Sequence, residues 1–300
     1  MKNLVKALVC VCIVVIGIQN VSAQEPSMRT FDNNTKAVQL QKGTMQVFDY
    51  GETQVHAYET KGFFNTHAFF IEKNGQGVLI ETPPMKDNYN ELVDYIVGLG
   101  YTNIDVMVSY HLIGKHFFDT DKLKFNHIYS NQESLDYMTN SGNESLSKLK
   151  EVSGEDLDET TIVPTDLLEA GAQEISGIPF VITPTGFGFD VEMPEIKAVH
   201  LHMVGHDNHT MIFNTEFIDT VIKELSAFQE KGYTTYFSSH SAPETSGDVT
   251  IKINYLEDMK AILSASKNSE AFIQKMDKAY PDFGWRNYLL GSAKMLFPKK

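Results

Sequence analysis

One short stretch constrains this chain more than any other. Ile104, Val106, Met107 and Val108 make an apolar run that stops at a loop carrying two histidines, His111 and His116. A run of this length bounded by polar residues predicts a buried β-strand. Open α/β folds gather their chemistry just past the ends of such strands. Imidazole there binds metal or moves protons near neutral pH. The competing reading is a loop with two solvated histidines.

The start of the chain has a different character. Lys2 and Lys6 precede an apolar core from Leu8 to Ile18, and Val21-Ser22-Ala23 gives a small-x-small site. Residues 1–23 therefore read as a signal peptide cut before Gln24, which predicts a periplasmic or secreted protein. The apolar run is interrupted at Gln19 and Asn20, short of the about 20 residues a membrane helix needs. No integral membrane segment is expected in the mature form. Both cysteines, Cys10 and Cys12, fall inside the signal. The mature chain would then have no disulfide, no thiolate nucleophile and no thiolate zinc ligand.

The formal charge is −14, and loss of the two signal lysines makes it more negative. This argues against nucleic-acid binding, which needs Lys and Arg to meet phosphates. It suits an acidic soluble protein or one that binds cations. An apolar content of 42% over this length supports a full core. We assign residues 24–42 to a flexible leader and 43–300 to a single domain with C-terminal helices.

Along the chain, strands are expected at Met45–Tyr50, Val55–Glu59, Phe63–Glu72 and Gly77–Thr82. Asn74-Gly75 is a hairpin turn signal between the last two. Apolar spacing in Asn90–Leu99 predicts a helix closed by Gly100. A strand at Phe125–Tyr129 and a helix at Gln132–Met138 follow, then a polar surface excursion. Short strands are expected at Thr161–Leu168, Ala172–Ile175, Pro179–Thr183, Ala198–Met203, Thr210–Asn214 and Thr234–Ser238. Helices are expected at Glu216–Glu230, Val249–Ser264 and Ser269–Ala279, with the aromatic stretch Tyr280–Trp285 packing back on the body. Hairpins first and strand–helix alternation later suggest two sheets with helices outside.

Three loops after three strands carry His111/His116, His206/Asp207/His209 and His240. Their convergence at one sheet edge would make a metal site, because zinc takes three or four His, Asp or Glu ligands. His200 and His202 read as strand residues with structural hydrogen bonds. Four features in this order resemble the metallo-β-lactamase-fold hydrolase superfamily. Leu79-Ile80-Glu81-Thr82 is similar to its Leu-Ile-Asp-Thr strand. His111-Leu112-Ile113-Gly114-Lys115-His116 is similar to its His-x-His-x-Asp-His loop. Gly205-His206 and the lone His240 complete the set.

The resemblance covers roughly residues 43 to 265 and implies an α/β fold, a four-layer αββα sandwich. It also implies metal-dependent hydrolysis of an ester, amide or phosphoester. Two positions depart from the pattern: Ile113 stands at a histidine and Lys115 at the aspartate that binds a second metal. The implied centre is therefore one Zn2+ held by His111, His206 and one of Asp207, His209 or His240, with His116 binding or orienting water. Asp190 and Asp207 are substitutes for the bridging aspartate. The Lys115 ammonium is expected to point inward, into the second metal's place. The other function open to such a chain is a catalytically inactive binding or structural protein on the same scaffold, with no metal. The partner is an unidentified small molecule.

Overall fold

The computed structural model describes residues 35–61, 65–109, 114–118, 121–154, 156–158, 160–186 and 188–298. The expected signal, the expected leader up to residue 34 and the tip of the first histidine loop lie outside the described residues, as do the side chains of His116 and Phe117.

The first sheet has eight strands in sequential order. β1 (Thr35–Gln39), β2 (Gly43–Asp49), β3 (Thr53–Thr60), β4 (His67–Lys73) and β5 (Gln76–Ile80) form an antiparallel meander. β6 (Asn103–Met107), β7 (Lys124–Ser130) and the short β8 (Asp166–Leu167) then add in parallel. The sheet begins at Thr35, inside the segment expected to be a flexible leader. The β4–β5 turn is at Asn74-Gly75, with φ 51° and 76°. Two positive φ values in a row are what a tight hairpin twist requires, and Asn-Gly supplies them at low steric cost.

The second sheet has six strands in the order β14-β13-β12-β11-β10-β9. These are β9 (Gly171–Ile175), β10 (Ile178–Pro184), β11 (Phe189–Met193), β12 (Ala198–Leu201), β13 (Thr235–Ser238) and β14 (Glu244–Thr245). All neighbours are antiparallel except β12 and β13.

Period-two alternation sorts side chains into layers. On β4, Phe69 and Ile71 face the space between the sheets, and Ala68 and Phe70 face outward. Phe69 and Phe70 are fully buried, worth about 2–3 kcal/mol each. The inner layer joins Phe69, Val78 and Met107 to Phe180, Val191 and Phe237 of the second sheet.

Helix α1 (Lys86–Gly98) covers the outer face of the first sheet through Leu92, Val93 and Ile96. The polar excursion between β7 and β8 folds as α2 (Gln132–Tyr137), a π turn and α3 (Asn143–Ser153), which join the same layer through Met138, Leu146 and Leu149. The outer face of the second sheet is covered by α4 (Thr215–Glu230), α5 (Ser246–Ser264), α6 (Ser269–Ala279) and α7 (Arg286–Leu296). The result is the αββα sandwich expected from the sequence.

Three further details differ from the sequence reading. Thr210–Asn214 is not a strand. Its backbone bonds to side chains instead: Ile212 N–H donates to Ser292 Oγ at 2.8 Å, and Thr210 O accepts from the same hydroxyl at 3.1 Å. Phe189–Met193 is a fully buried central strand, hidden in the sequence by Asp190 and Glu192. The aromatic stretch leads into a further helix, α7, whose Leu289 and Ala293 enter the outer layer.

Candidate functional site

Several chain ends meet at one edge of the sandwich. β5 and β6 end there, and β4 begins there because it runs antiparallel to β5. On the second sheet the parallel strands β12 and β13 both end there. The main-chain N–H of His67 donates to Ser239 O at 2.9 Å, which ties the start of β4 to the end of β13.

The histidine loop leaves this edge from a fixed platform. Glu81, just past β5, has φ 60° and is fully buried. Its carboxylate accepts the Ser109 N–H at 3.0 Å. Ser109 Oγ accepts from Phe189 N–H at 2.7 Å and donates to Phe189 O, so β6 is pinned to β11 across the sandwich. Ser134 of α2 donates to Ser109 O at 2.8 Å. Every backbone group of Ser109 is thereby held before the loop begins.

Alternation along β12 puts Val199 and Leu201 on the outer layer with the helices, and Ala198 on the inner one. His200 and His202 therefore share the inner side with Ala198 and emerge at the edge. His200 is fully buried, with Nε2 3.0 Å from Ser239 Oγ. Its ring packs on Phe69, centroids 5.4 Å apart, and Phe69 in turn stacks with His67 at 6.2 Å. The rings of His202 and His240 meet edge to face at 4.9 Å. Both ring nitrogens of His67 and the Nδ1 of His200 are buried without a hydrogen-bond partner. Burial pushes the His67 imidazole down to about 4, partly opposed by the Ser239 backbone. Burial, then His240 and His67, pushes His200 down to about 3. Both rings are neutral at physiological pH, the form in which imidazole offers a lone pair.

A second group lies on the turn after β12. His206 Nδ1 is 2.8 Å from Glu244 Oε1, and the His206 main-chain N–H donates to the same oxygen at 2.7 Å. Asp207 Oδ1 is 3.9 Å from Nδ1, and Asp248 Oδ1 is 3.9 Å from Nε2. Ligand atoms of His206, Asp207 and Glu244 all lie within 4.8 Å of one another, close enough to share one metal ion. Lys252 braces this turn from beneath, donating to Gly205 O at 2.9 Å and Asn208 O at 2.7 Å. Burial brings the Lys252 ammonium down to about 7, against the pull of Glu244 and Asp207.

The residues singled out in the sequence thus fall in several places. His240 lies with His202 and His200 at the strand ends, and His206 and Asp207 lie together on the next turn. His209 turns into the helical layer: it is buried, with Nδ1 3.0 Å from the Tyr255 hydroxyl and its ring against Phe283. Burial, with Lys252 adding to it, pushes that ring down to about 4. Asp190 is buried on β11 and bonds Glu224 of α4. His111 is outside the described residues. His116 sits on a 3-10 turn, Lys115–Phe118. Lys115 is exposed there, with its N–H donated to Thr160 O at 2.7 Å, where the sequence reading expected an inward ammonium.

Sequence patterns do not single out His67, Glu244 or Asp248; they mark His200 and His202 as structural strand residues, and His200 does bond Ser239. The alternation Ala198-Val199-His200-Leu201-His202 carried a usable signal, since it puts both imidazoles on one face. Glu244 carried none, because its strand is only two residues long.

Comparison with solved structures finds similarity to the stereoselective inverting sec-alkylsulfatase from Pseudomonas sp., at 12% identity and TM-score 0.53, over 83% of this chain and 49% of that chain. A double mutant of a sec-alkylsulfatase matches with TM-score 0.54 and the same identity and coverage. The chain spans about half the length of these relatives. A metallo-β-lactamase from Erythrobacter litoralis with β-mercaptoethanol in its active site matches at 11% identity and TM-score 0.49, over 74% of this chain and 100% of that chain. No family model matches the sequence, and no curated protein does. The likeness shows the fold alone: the chain shares the two-sheet α/β sandwich of the sec-alkylsulfatase structures.

Proposed function

We propose that this protein is an exported hydrolase that holds one zinc-class metal ion at the strand-end edge. The observation that carries the reading is the meeting of the His202 and His240 rings at 4.9 Å. They stand at the ends of adjacent parallel strands, on the edge from which Ser109 launches the loop of His111 and His116. Three or four imidazoles are a donor set that zinc accepts, so the residues fit the ion. His202 and His240, with His111 or His116, are the ligands in this reading.

A metal so held lowers the pKa of water and polarises a carbonyl or phosphoryl oxygen. The chain's own residues position the ligands. Ser239 hydrogen-bonds His200 and so fixes the end of β13 next to His240. Glu81 holds Ser109 and with it the root of the loop. The substrate is a small molecule with an ester, amide or phosphoester bond. A sulfate ester joins that set because alkylsulfatases share the fold.

A panel of ester, phosphoester, sulfate-ester, lactone and β-lactam probes tests this with zinc present. At least one should turn over, and His202→Ala and His240→Ala should each lower kcat/KM about 100-fold or more. No turnover of any probe overturns the hydrolase. It would favour the second reading, an inactive binding or structural protein, which Ile113 and Lys115 at two ligand positions of the loop motif support. Secreted material should begin near Gln24; a retained Met1 overturns export.

A further inference from the structure

We propose a second divalent-cation site, separate from the strand-end histidines, formed by His206, Asp207 and Glu244 and selective for zinc-class metals. It does not rest on the hydrolase reading. Among the described residues these three form the group whose ligand atoms fit within 4.8 Å. Ligands of one zinc ion, each about 2.0–2.2 Å from it, stand roughly 3–4 Å apart. His206 Nδ1 is already 2.8 Å from Glu244 Oε1 and 3.9 Å from Asp207 Oδ1. Shifts of under about an ångström therefore bring all three onto one ion.

The donors are mixed in kind and in burial. One imidazole nitrogen with carboxylates suits zinc or manganese, whereas calcium takes oxygen ligands alone. Glu244 forms a buried floor, its side chain 2% exposed. Asp207 is the open side, 60% exposed, so an ion can enter from solvent. Asp248 Oδ1 stands 3.9 Å from the other ring nitrogen and adds a third negative charge. The neighbouring buried cation, Lys252, directs its ammonium to two carbonyls, Gly205 O and Asn208 O. It shapes the turn and leaves the carboxylates facing His206. An ion bound here would clamp the 205–208 turn to the junction of β14 and α5, a few residues past His240. The competing account is a plain His206–Glu244 ion pair.

The test uses chelator-stripped protein carrying His240→Ala, so that the strand-end centre is disabled. Zinc should bind at about one equivalent after desalting, and the thermal midpoint should rise by several degrees. Calcium should give no rise. On the same background Glu244→Gln, which keeps an acceptor for His206 but loses the charge, should weaken zinc about tenfold or more. Asp207→Asn, at an exposed residue, should weaken it too, and it decides the matter where Glu244→Gln does not fold. No zinc uptake by the His240→Ala protein, or uptake indifferent to both further changes, overturns the site and leaves the ion pair. Turnover by the unaltered protein is a separate readout, so a failed hydrolase and a failed second site are told apart.

Discussion

Glu81 combines two costs that only its position explains. Its φ of 60° is a left-handed backbone that a residue with a Cβ adopts at about 1 kcal/mol. Its carboxylate is fully buried. Both are offset by what it holds, the Ser109 N–H at the root of the histidine loop. Removing one partner of a buried hydrogen bond leaves the other unsatisfied, at about 1–3 kcal/mol. Glu81→Ala should therefore lower the urea midpoint by that order, and Glu81→Gln, which keeps an acceptor oxygen, by less. Equal midpoints for Glu81→Ala and the parent would show that Ser109 is held without it.

At the scale of elements, the Thr210–Asn214 segment shows how one stretch is diverted from a sheet. Asn214 is the N-cap of α4, its side chain accepting the Phe217 N–H at 2.8 Å. Upstream, the Ser292 hydroxyl of α7 takes the buried Ile212 N–H. The segment thus finds its hydrogen bonds in two helices and needs no strand partner. Asn214→Ala should cost about 1 kcal/mol, the usual loss for an N-cap. Ser292→Ala should cost about 1–3 kcal/mol by orphaning the Ile212 N–H. Chemical denaturation of each checks both, and a Ser292→Ala protein as stable as the parent would mean the segment pairs elsewhere.

For the whole molecule, three buried histidines set the acid limit. His67 and His209 are pushed by burial from 6.5 to about 4, and His200 to about 3. In the unfolded chain they take protons near pH 6.5, while the folded protein refuses them until about pH 4 or below. Between those limits the unfolded state binds more protons, so stability rises with pH across the window and falls on acidification. Each lowered unit is about 1.4 kcal/mol, which is large against a domain's about 5–15 kcal/mol. Urea midpoints should drop steeply between pH 6.5 and 4. A midpoint flat through that range would contradict the burial of these rings. His67→Gln, which does not titrate, should make the fall shallower.

The layered sandwich was legible in the sequence because alternation and helical spacing are local patterns. Val55, Phe69, Val78 and Met107 could be sorted by period alone, and Asn74-Gly75 fixed its turn by its own backbone preference. Phe189–Met193 escaped because Asp190 and Glu192 lie under helices that close over them only in the folded chain. The histidines show the same division. Their presence after three strands, and the imidazoles of His200 and His202 two residues apart, are properties of the sequence. That His240 meets His202, that His206 finds Glu244 and Asp248, and that His209 turns inward to Tyr255 depend on contacts up to 46 residues apart. No local propensity encodes such partners. They are chosen by which strand ends share an edge and which helices cover the faces, and that is settled only when the two sheets pack.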